Sequence, residues 1–150
     1  MSQWLFTKYV EVLDKASVYL LSTYKSERKK GVIIFDIDDT LLLPHSGNPI
    51  PETVFFYNLI KDMGFTPVII TARPGFKENV YKTIQQLKSI EVKDFDYIFF
   101  MPPGQSDIYS YKLNARKELY DIYGGNILMS IGDMHWDVGK YGGYEVLLQK

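Results

Sequence analysis

Acidic side chains that could hold a cation or attack a phosphate group occur at two separate places in this 150-residue chain. Asp36 and Asp38 follow the apolar run Val32–Phe35, which is typical of a parallel strand buried on both faces. Asp133 follows a second apolar run, and Asp137 lies four positions further on. In extended chain Asp36 and Asp38 point the same way, and a cation relieves the repulsion between crowded carboxylates. Four carboxylates without a histidine cluster predict Mg²⁺ rather than zinc.

Donors suited to a phosphate group occur at two further places. Thr71, Ala72 and Arg73 end another apolar run, where they offer a hydroxyl, backbone N–H groups and a guanidinium for a bidentate grip on phosphate. Lys112 offers a compact positive charge on a predicted helix. Together with the carboxylates, these groups are typical of covalent phosphoryl transfer to a carboxylate nucleophile beside a second, protonatable carboxylate.

An alternation of strands and helices must position these residues. Apolar periodicity and Gly or Pro breaks predict helices over residues 3–24, 51–63, 76–90 and 107–123, and strands over 32–35, 66–70, 96–101, 126–131 and 145–149. A charged connector is expected over 25–30. This pattern predicts an α/β, Rossmann-like three-layer sandwich with a mostly parallel sheet in the order 5-4-1-2-3, covered by helices on both faces. The carboxyl ends of its strands then meet at one edge.

Composition excludes several classes of protein. The chain has no cysteine, so disulfides, thiol catalysis and cysteine–zinc sites are excluded. A formal net charge of −1 gives no strong nucleic-acid signal. The sequence has no apolar run long enough to span a membrane and no recognisable signal peptide, which predicts no membrane partner and a cytoplasmic location. An exposed face on the 3–24 helix would allow a homodimer.

Four segments resemble the motifs of the haloacid dehalogenase-like (HAD) superfamily, in the family order. Asp36-Ile37-Asp38-Asp39-Thr40 is similar to its first motif, DxDxT. The strand ending in Thr71 looks like the second motif, and Lys112 fits the third. Gly132-Asp133 with Asp137 is similar to the fourth, GDxxxD.

A finer likeness is to the acid phosphatase branch, which includes class B bacterial enzymes and plant vegetative storage-type proteins. Phe35–Leu41 resembles its first motif, and Tyr111-Lys112 with Arg116, followed by Ile131-Gly132-Asp133, resembles its C-terminal signature. The resemblance implies a single hydrolase domain over 1–150, with an N-terminal helix over 3–24 and a catalytic core over 31–150. Residues 41–66 and 74–111 are too short for a separate cap domain, which predicts an open site.

The resemblance also implies a role for each site residue. Asp36 would be the nucleophile and a metal ligand, and Asp38 the general acid/base and a ligand through its backbone carbonyl. Asp133 would bind Mg²⁺ directly, and Asp137 directly or through water. Thr71 and Lys112 would bind the phosphoryl group. Asp39 and Thr40 are expected to brace the turn.

Three functions fit these residues. The first is a magnesium-dependent phosphomonoesterase that acts on a phosphorylated small molecule through an aspartyl-phosphate. The second is a phosphatase acting on nucleotides or nucleic-acid ends, where an open site would admit the exposed phosphate end of a larger substrate. The third is a non-catalytic storage or scaffolding protein that retains the fold, which the intact Asp36 disfavours.

Overall fold

The computed structural model describes residues 3–24 and 31–148. The predicted connector over 25–30 and Gln149, in the predicted last strand, lie outside the described residues. The elements are α1 (Gln3–Tyr24), β1 (Val32–Phe35), α2 (Pro51–Asp62), β2 (Thr66–Pro74), α3 (Lys77–Ser89), β3 (Ile98–Met101), α4 (Ile108–Ile122), β4 (Ile127–Gly132), a 3₁₀ turn (His135–Asp137) and β5 (Tyr144–Leu147). The predicted helices and strands are all present. β2 runs on past Ile70 because Pro74 still pairs with Met101 of β3.

The five strands form one parallel sheet in the order β3-β2-β1-β4-β5. This is the predicted order read from the opposite edge, so the α/β Rossmann-like prediction is confirmed. β1 is the central strand, and Ile34 pairs with Val68 of β2 and with Ser130 of β4. The carboxyl ends of β1, β2 and β4 therefore lie side by side.

Two apolar layers cover the sheet. Ile33 and Phe35 of β1 join a cluster with the buried side chains of α1 and α2, and Leu87 of α3 belongs to the same cluster. Val32 and Ile34 face the other way and join a cluster with α4. Both faces of β1 are buried, as its continuous apolar run predicts.

Helix α1 is the predicted packing helix, and it lies against α2 and β5. Tyr9, Leu13, Ala16 and Leu20 are buried at the three- and four-residue spacing of one helix face. No helix among the described residues is long and apolar enough to cross a bilayer.

Local signals set the beginnings and ends of the helices near the site. Pro51 occupies the first turn of α2, where its missing N–H costs no hydrogen bond. Gly64 follows α2 with a φ of 94°, which favours glycine. The Asp107 side chain caps α4 by accepting from the Ser110 N–H at 3.1 Å. This cap fixes where α4 begins, and so which part of the sheet Lys112 faces.

Candidate active site

A buried lysine joins two carboxylates at the centre of the strand ends. Asp36 continues the alternation of Ile34, so it faces α4 and lies only 8% exposed. Lys112 Nζ donates to Asp36 Oδ1 at 2.9 Å and to the Ile70 carbonyl at 2.8 Å. It also lies 2.7 Å from Asp137 Oδ1. The three N–H groups of the Lys112 ammonium thus each have a protein acceptor nearby.

The charge on Lys112 is stabilised by these carboxylates. Burial lowers the pKa of Lys112, but the charges and hydrogen bonds of Asp36 and Asp137 outweigh it, so the pKa is raised. Lys112 is 2% exposed, and removal of either carboxylate would leave its ammonium less well compensated. In this structure the acceptors around the Lys112 ammonium all belong to the protein. The predicted contact of Lys112 with the phosphoryl group stays a prediction.

Three of the four predicted carboxylates meet in one cluster. Asp36, Asp133 and Asp137 each offer an oxygen, and these oxygens lie within 4.8 Å of one another. Burial and the charge of Asp36 raise the pKa of Asp133 to about 7. Burial and Asp36 also raise the pKa of Asp137 to about 6, although Lys112 opposes the rise. Crowded carboxylates whose charged forms are disfavoured suit a divalent cation with oxygen ligands.

Asp137 is the most constrained member of the cluster. Its Oδ2 accepts from the Met134 backbone N–H at 3.0 Å, while its Oδ1 faces Lys112. The added Cβ of an alanine at position 132 would lie 2.2 Å from Asp137 Cβ, so only a glycine fits there. This close approach explains why a glycine occupies the first position of the GDxxxD motif. Each oxygen of Asp137 and of Asp36 has a protein contact, and Asp133 completes the cluster.

The carboxylate of Asp38 lies outside this cluster. The strand ends at Phe35, and the Ile37 carbonyl accepts backbone N–H groups from Thr40, Leu41 and Leu42. The chain therefore turns directly after β1, and the predicted shared orientation of Asp36 and Asp38 stays a prediction. A ligand role for the Asp38 backbone carbonyl stays a prediction.

Arg73 contacts Asp38 in this structure. Its Nε donates to Asp38 Oδ2 at 3.0 Å, and its Nη2 donates to Oδ1 at 2.7 Å. The predicted bidentate grip of Arg73 is therefore made on a carboxylate of the same chain. Any contact with a phosphate group would require part of this pair to open.

Thr71 and Ala72 lie beside the cluster at the end of β2. Thr71 is buried, and its hydroxyl accepts from the Arg73 backbone N–H at 3.1 Å. Its carbonyl accepts from the Tyr111 hydroxyl at 2.7 Å, and this bond fixes the strand end against α4. The position beside β1 agrees with a phosphate-binding edge, and the contact itself stays a prediction for both residues.

Two further residues support the site, and sequence reasoning missed their roles. The Thr40 hydroxyl lies 3.2 Å from Asp36 Oδ2 and 3.5 Å from Asp133 Oδ1, so it contacts the carboxylates rather than only bracing the turn. Arg116 donates to the carbonyls of Trp136 and Lys140, at 2.6 and 2.9 Å. The DxDxT spacing already indicated Thr40, and Arg116 stood one helical turn after Lys112.

A family model and two solved structures are similar to this chain. The family model described as HAD superfamily, subfamily IIIB (acid phosphatase) matches residues 45–146. The class C acid phosphatase from Bacillus anthracis with tungstate bound has a similar structure, with a TM-score of 0.68 and 16% identity over 93% of this chain and 67% of that chain.

A chain of the Pnkp1/Rnl/Hen1 complex is also similar, with a TM-score of 0.62 and 15% identity over 81% of this chain and 47% of that chain. At these identities the likeness shows a shared fold. No curated protein matches the sequence. The family match spans more than half of the chain and includes Lys112, Asp133 and Asp137. The chain therefore belongs to the acid phosphatases of HAD superfamily subfamily IIIB, a family of phosphoric monoester hydrolases.

Proposed function

We propose that this chain is a magnesium-dependent phosphomonoesterase that acts through an aspartyl-phosphate on Asp36. The observation that carries the proposal is the cluster of Asp36, Asp133 and Asp137 beside the buried Lys112. A nucleophilic carboxylate, an oxygen-rich cation site and a fixed positive charge are the parts that phosphoryl transfer requires.

Asp36 and Asp133 would hold Mg²⁺, with Asp137 beside them directly or through water. When bound, the ion supplies positive charge that stabilises the developing charge on the phosphoryl oxygens. The donor set supports this choice, because hard carboxylate oxygens without histidine or cysteine suit Mg²⁺.

The protein groups supply the remaining chemistry. Lys112 holds Asp36 Oδ1 and orients the carboxylate, so that an Asp36 oxygen attacks phosphorus as the ester P–O bond breaks. Asp38 gives its proton to the leaving alkoxide. It then takes a proton from the water that attacks the aspartyl-phosphate, which releases inorganic phosphate and restores Asp36. Arg73 orients the carboxylate of Asp38 for both proton transfers.

The site has no separate cap in this proposal. Residues 36–50 contain turns and two isolated bridges, and residues 75–107 contain only α3 and β3. One domain over 1–150 with an open site would accept a phosphorylated small molecule.

Hydrolysis of an aryl phosphate tests the proposal. We expect turnover with Mg²⁺, none with EDTA, and a loss of at least about 10³-fold in Asp36→Asn, because the nucleophile is gone. Beryllofluoride, a phosphate mimic, should bind wild type with Mg²⁺ and not Asp36→Asn. Equal turnover by wild type and Asp36→Asn would overturn the mechanism.

The two alternatives make different predictions. Action on nucleic-acid ends requires faster turnover of a 5′- or 3′-phosphorylated oligonucleotide than of the matching nucleotide, and the net charge of −1 does not favour it. A storage or scaffolding role requires no turnover of any phosphoester and no beryllofluoride binding. The intact contacts between Asp36 and Lys112 favour the enzyme.

A further inference from the structure

A cleft of about 620 Å³ lies beside the Asp38–Arg73 pair. We call it the α3 cleft, because one face of that helix forms a wall of it. The polar side chains of this face recur at three- and four-residue spacing, and they are Asn79, Lys82, Thr83 and Gln86. Pro44 and Pro74 complete the lining. The volume is in the range of sites for small molecules, and the polar wall suits a polar ligand.

Hydrogen bonds hold the wall of the α3 cleft in place. Arg73 Nη1 donates to Thr83 Oγ1 at 3.2 Å and to Gln86 Oε1 at 2.8 Å, while the rest of its guanidinium binds Asp38. A Cβ at Gly47, which has a φ of 75°, would lie 2.9 Å from Gln86 Nε2. The loop after β1 thus approaches the same amide closely. Gln86 is thus held by Arg73 on one side and has the loop after β1 close by on the other.

One positive charge of the cleft is not neutralised by the protein. Asp38 and Arg73 compensate each other at 2.7 Å. Across residues 3–24 and 31–148, by contrast, no hydrogen bond or ion pair engages the ammonium of Lys82. The lining therefore carries one net positive charge, with the amide of Asn79 one turn away on the same wall.

We propose that the α3 cleft binds the alcohol portion of the substrate, and that Lys82 selects phosphomonoesters whose alcohol carries a second anionic group. This inference rests on the proposed function. Asp38 can protonate the ester oxygen only if that oxygen lies against its carboxylate. The leaving alcohol then extends away from phosphorus into the space that Asp38 itself lines. Lys82 lies in that space, where a carboxylate or a second phosphate would form a charge-assisted hydrogen bond with it.

Matched substrates test this selectivity. In each pair a carboxylate replaces a hydroxymethyl group, and two pairs differ in the spacing to the phosphate. They are 3-phosphoglycerate with glycerol 3-phosphate, and 6-phosphogluconate with sorbitol 6-phosphate. We expect kcat/KM to favour the carboxylate in at least one pair by about fivefold, and high salt to reduce this preference.

Two lysine variants locate the preference. Lys82→Gln should make the two kcat/KM values of the preferred pair equal. Lys82→Arg should keep most of the preference for the carboxylate. Lys88→Gln is the matched control, because Lys88 is an exposed lysine of α3 that lies outside the cleft. Equal kcat/KM within both pairs would overturn the inference, and so would a ratio that Lys82→Gln leaves intact. An enzyme that hydrolyses the aryl phosphate but neither pair would also overturn the inference, whereas the proposed function fails separately if the aryl phosphate is not hydrolysed with Mg²⁺.

Discussion

Arg73 and Asp38 form a two-point ion pair, in which Nε lies 3.0 Å from Oδ2 and Nη2 lies 2.7 Å from Oδ1. The pair joins the end of β2 to the turn after β1, and Thr83 and Gln86 of α3 accept the remaining hydrogen bonds of the guanidinium. Both side chains are partly exposed, so solvent weakens the attraction between them. Its value is geometric, because it fixes where the Asp38 carboxylate points.

Arg73→Ala should therefore impair proton transfer to the leaving group. We expect kcat for an alkyl phosphate to fall about tenfold or more, whereas kcat for p-nitrophenyl phosphate falls less, because nitrophenolate leaves without a proton. Arg73→Lys keeps the charge and loses the two-point contact, so its kcat values should lie between those of wild type and of Arg73→Ala. Steady-state kinetics on both substrates measures the difference.

Equal effects of Arg73→Ala on the two substrates would contradict this role. If Arg73 instead contacts phosphate, Arg73→Ala should raise KM for both substrates by similar factors and leave their kcat ratio unchanged.

Replacement of Lys112 should cost both activity and stability. Lys112→Met has a similar volume but leaves Asp36 and Asp137 without the charge that lies between them. We expect the free energy of unfolding at neutral pH to fall by about 3 kcal/mol in EDTA, as when one partner of a buried ion pair is removed. Urea unfolding followed by circular dichroism measures the loss.

A surface lysine provides the comparison for Lys112. Lys117 pairs with Asp121 on the exposed side of the same helix, so Lys117→Met should leave the urea midpoint unchanged. Equal midpoints for Lys112→Met and wild type would show that the buried contacts do not stabilise the fold.

Much of the site follows from the sequence because parallel strands share one carboxyl edge. Asp36, Thr71 and Asp133 each follow an apolar run, and their meeting is a consequence of the strand order. The partner of Asp38 does not follow, because the turn at Ile37 ends the two-residue period and tertiary packing of α3 places the acceptors of Arg73. Neither the partner of Asp38 nor the acceptors of Arg73 can be predicted from local residue spacing.

The pH dependence of stability should differ between metal-free and metal-bound protein. The pKa of Asp133 is raised to about 7 and that of Asp137 to about 6, from an ordinary value of 3.8. Groups with raised pKa values bind protons more tightly when folded, so this stabilisation is complete below about pH 4 and is lost as pH rises through 6 and 7. Asp133→Asn should reduce the fall in the metal-free Tm over this interval.

Magnesium should reverse that trend, because metal ligands bind as carboxylates. We expect the rise in Tm on adding Mg²⁺ to be large at pH 7.5 and small at pH 5, with an affinity about tenfold weaker or more at the lower pH. Differential scanning fluorimetry at several Mg²⁺ concentrations measures both quantities. A rise in Tm of equal size at both pH values would show that Asp133 and Asp137 do not bind the ion.

Gly132→Ala should disrupt the site through a single methyl group. The new Cβ would lie 2.2 to 2.5 Å from the Asp137 side chain, so Asp137 must move away from Lys112 and from the Met134 N–H. We expect kcat to fall about tenfold or more and Mg²⁺ affinity to weaken, because Asp137 helps to set the charge of the cluster. Gly124→Ala is the control, since no atom lies within 4 Å of its added Cβ and its φ of 61° carries only the local strain. That strain should cost about 1 kcal/mol of stability without changing kcat. Because Gly132 lacks a positive φ, backbone strain cannot explain its effect, and full activity in Gly132→Ala would mean that the position of Asp137 is not needed for turnover.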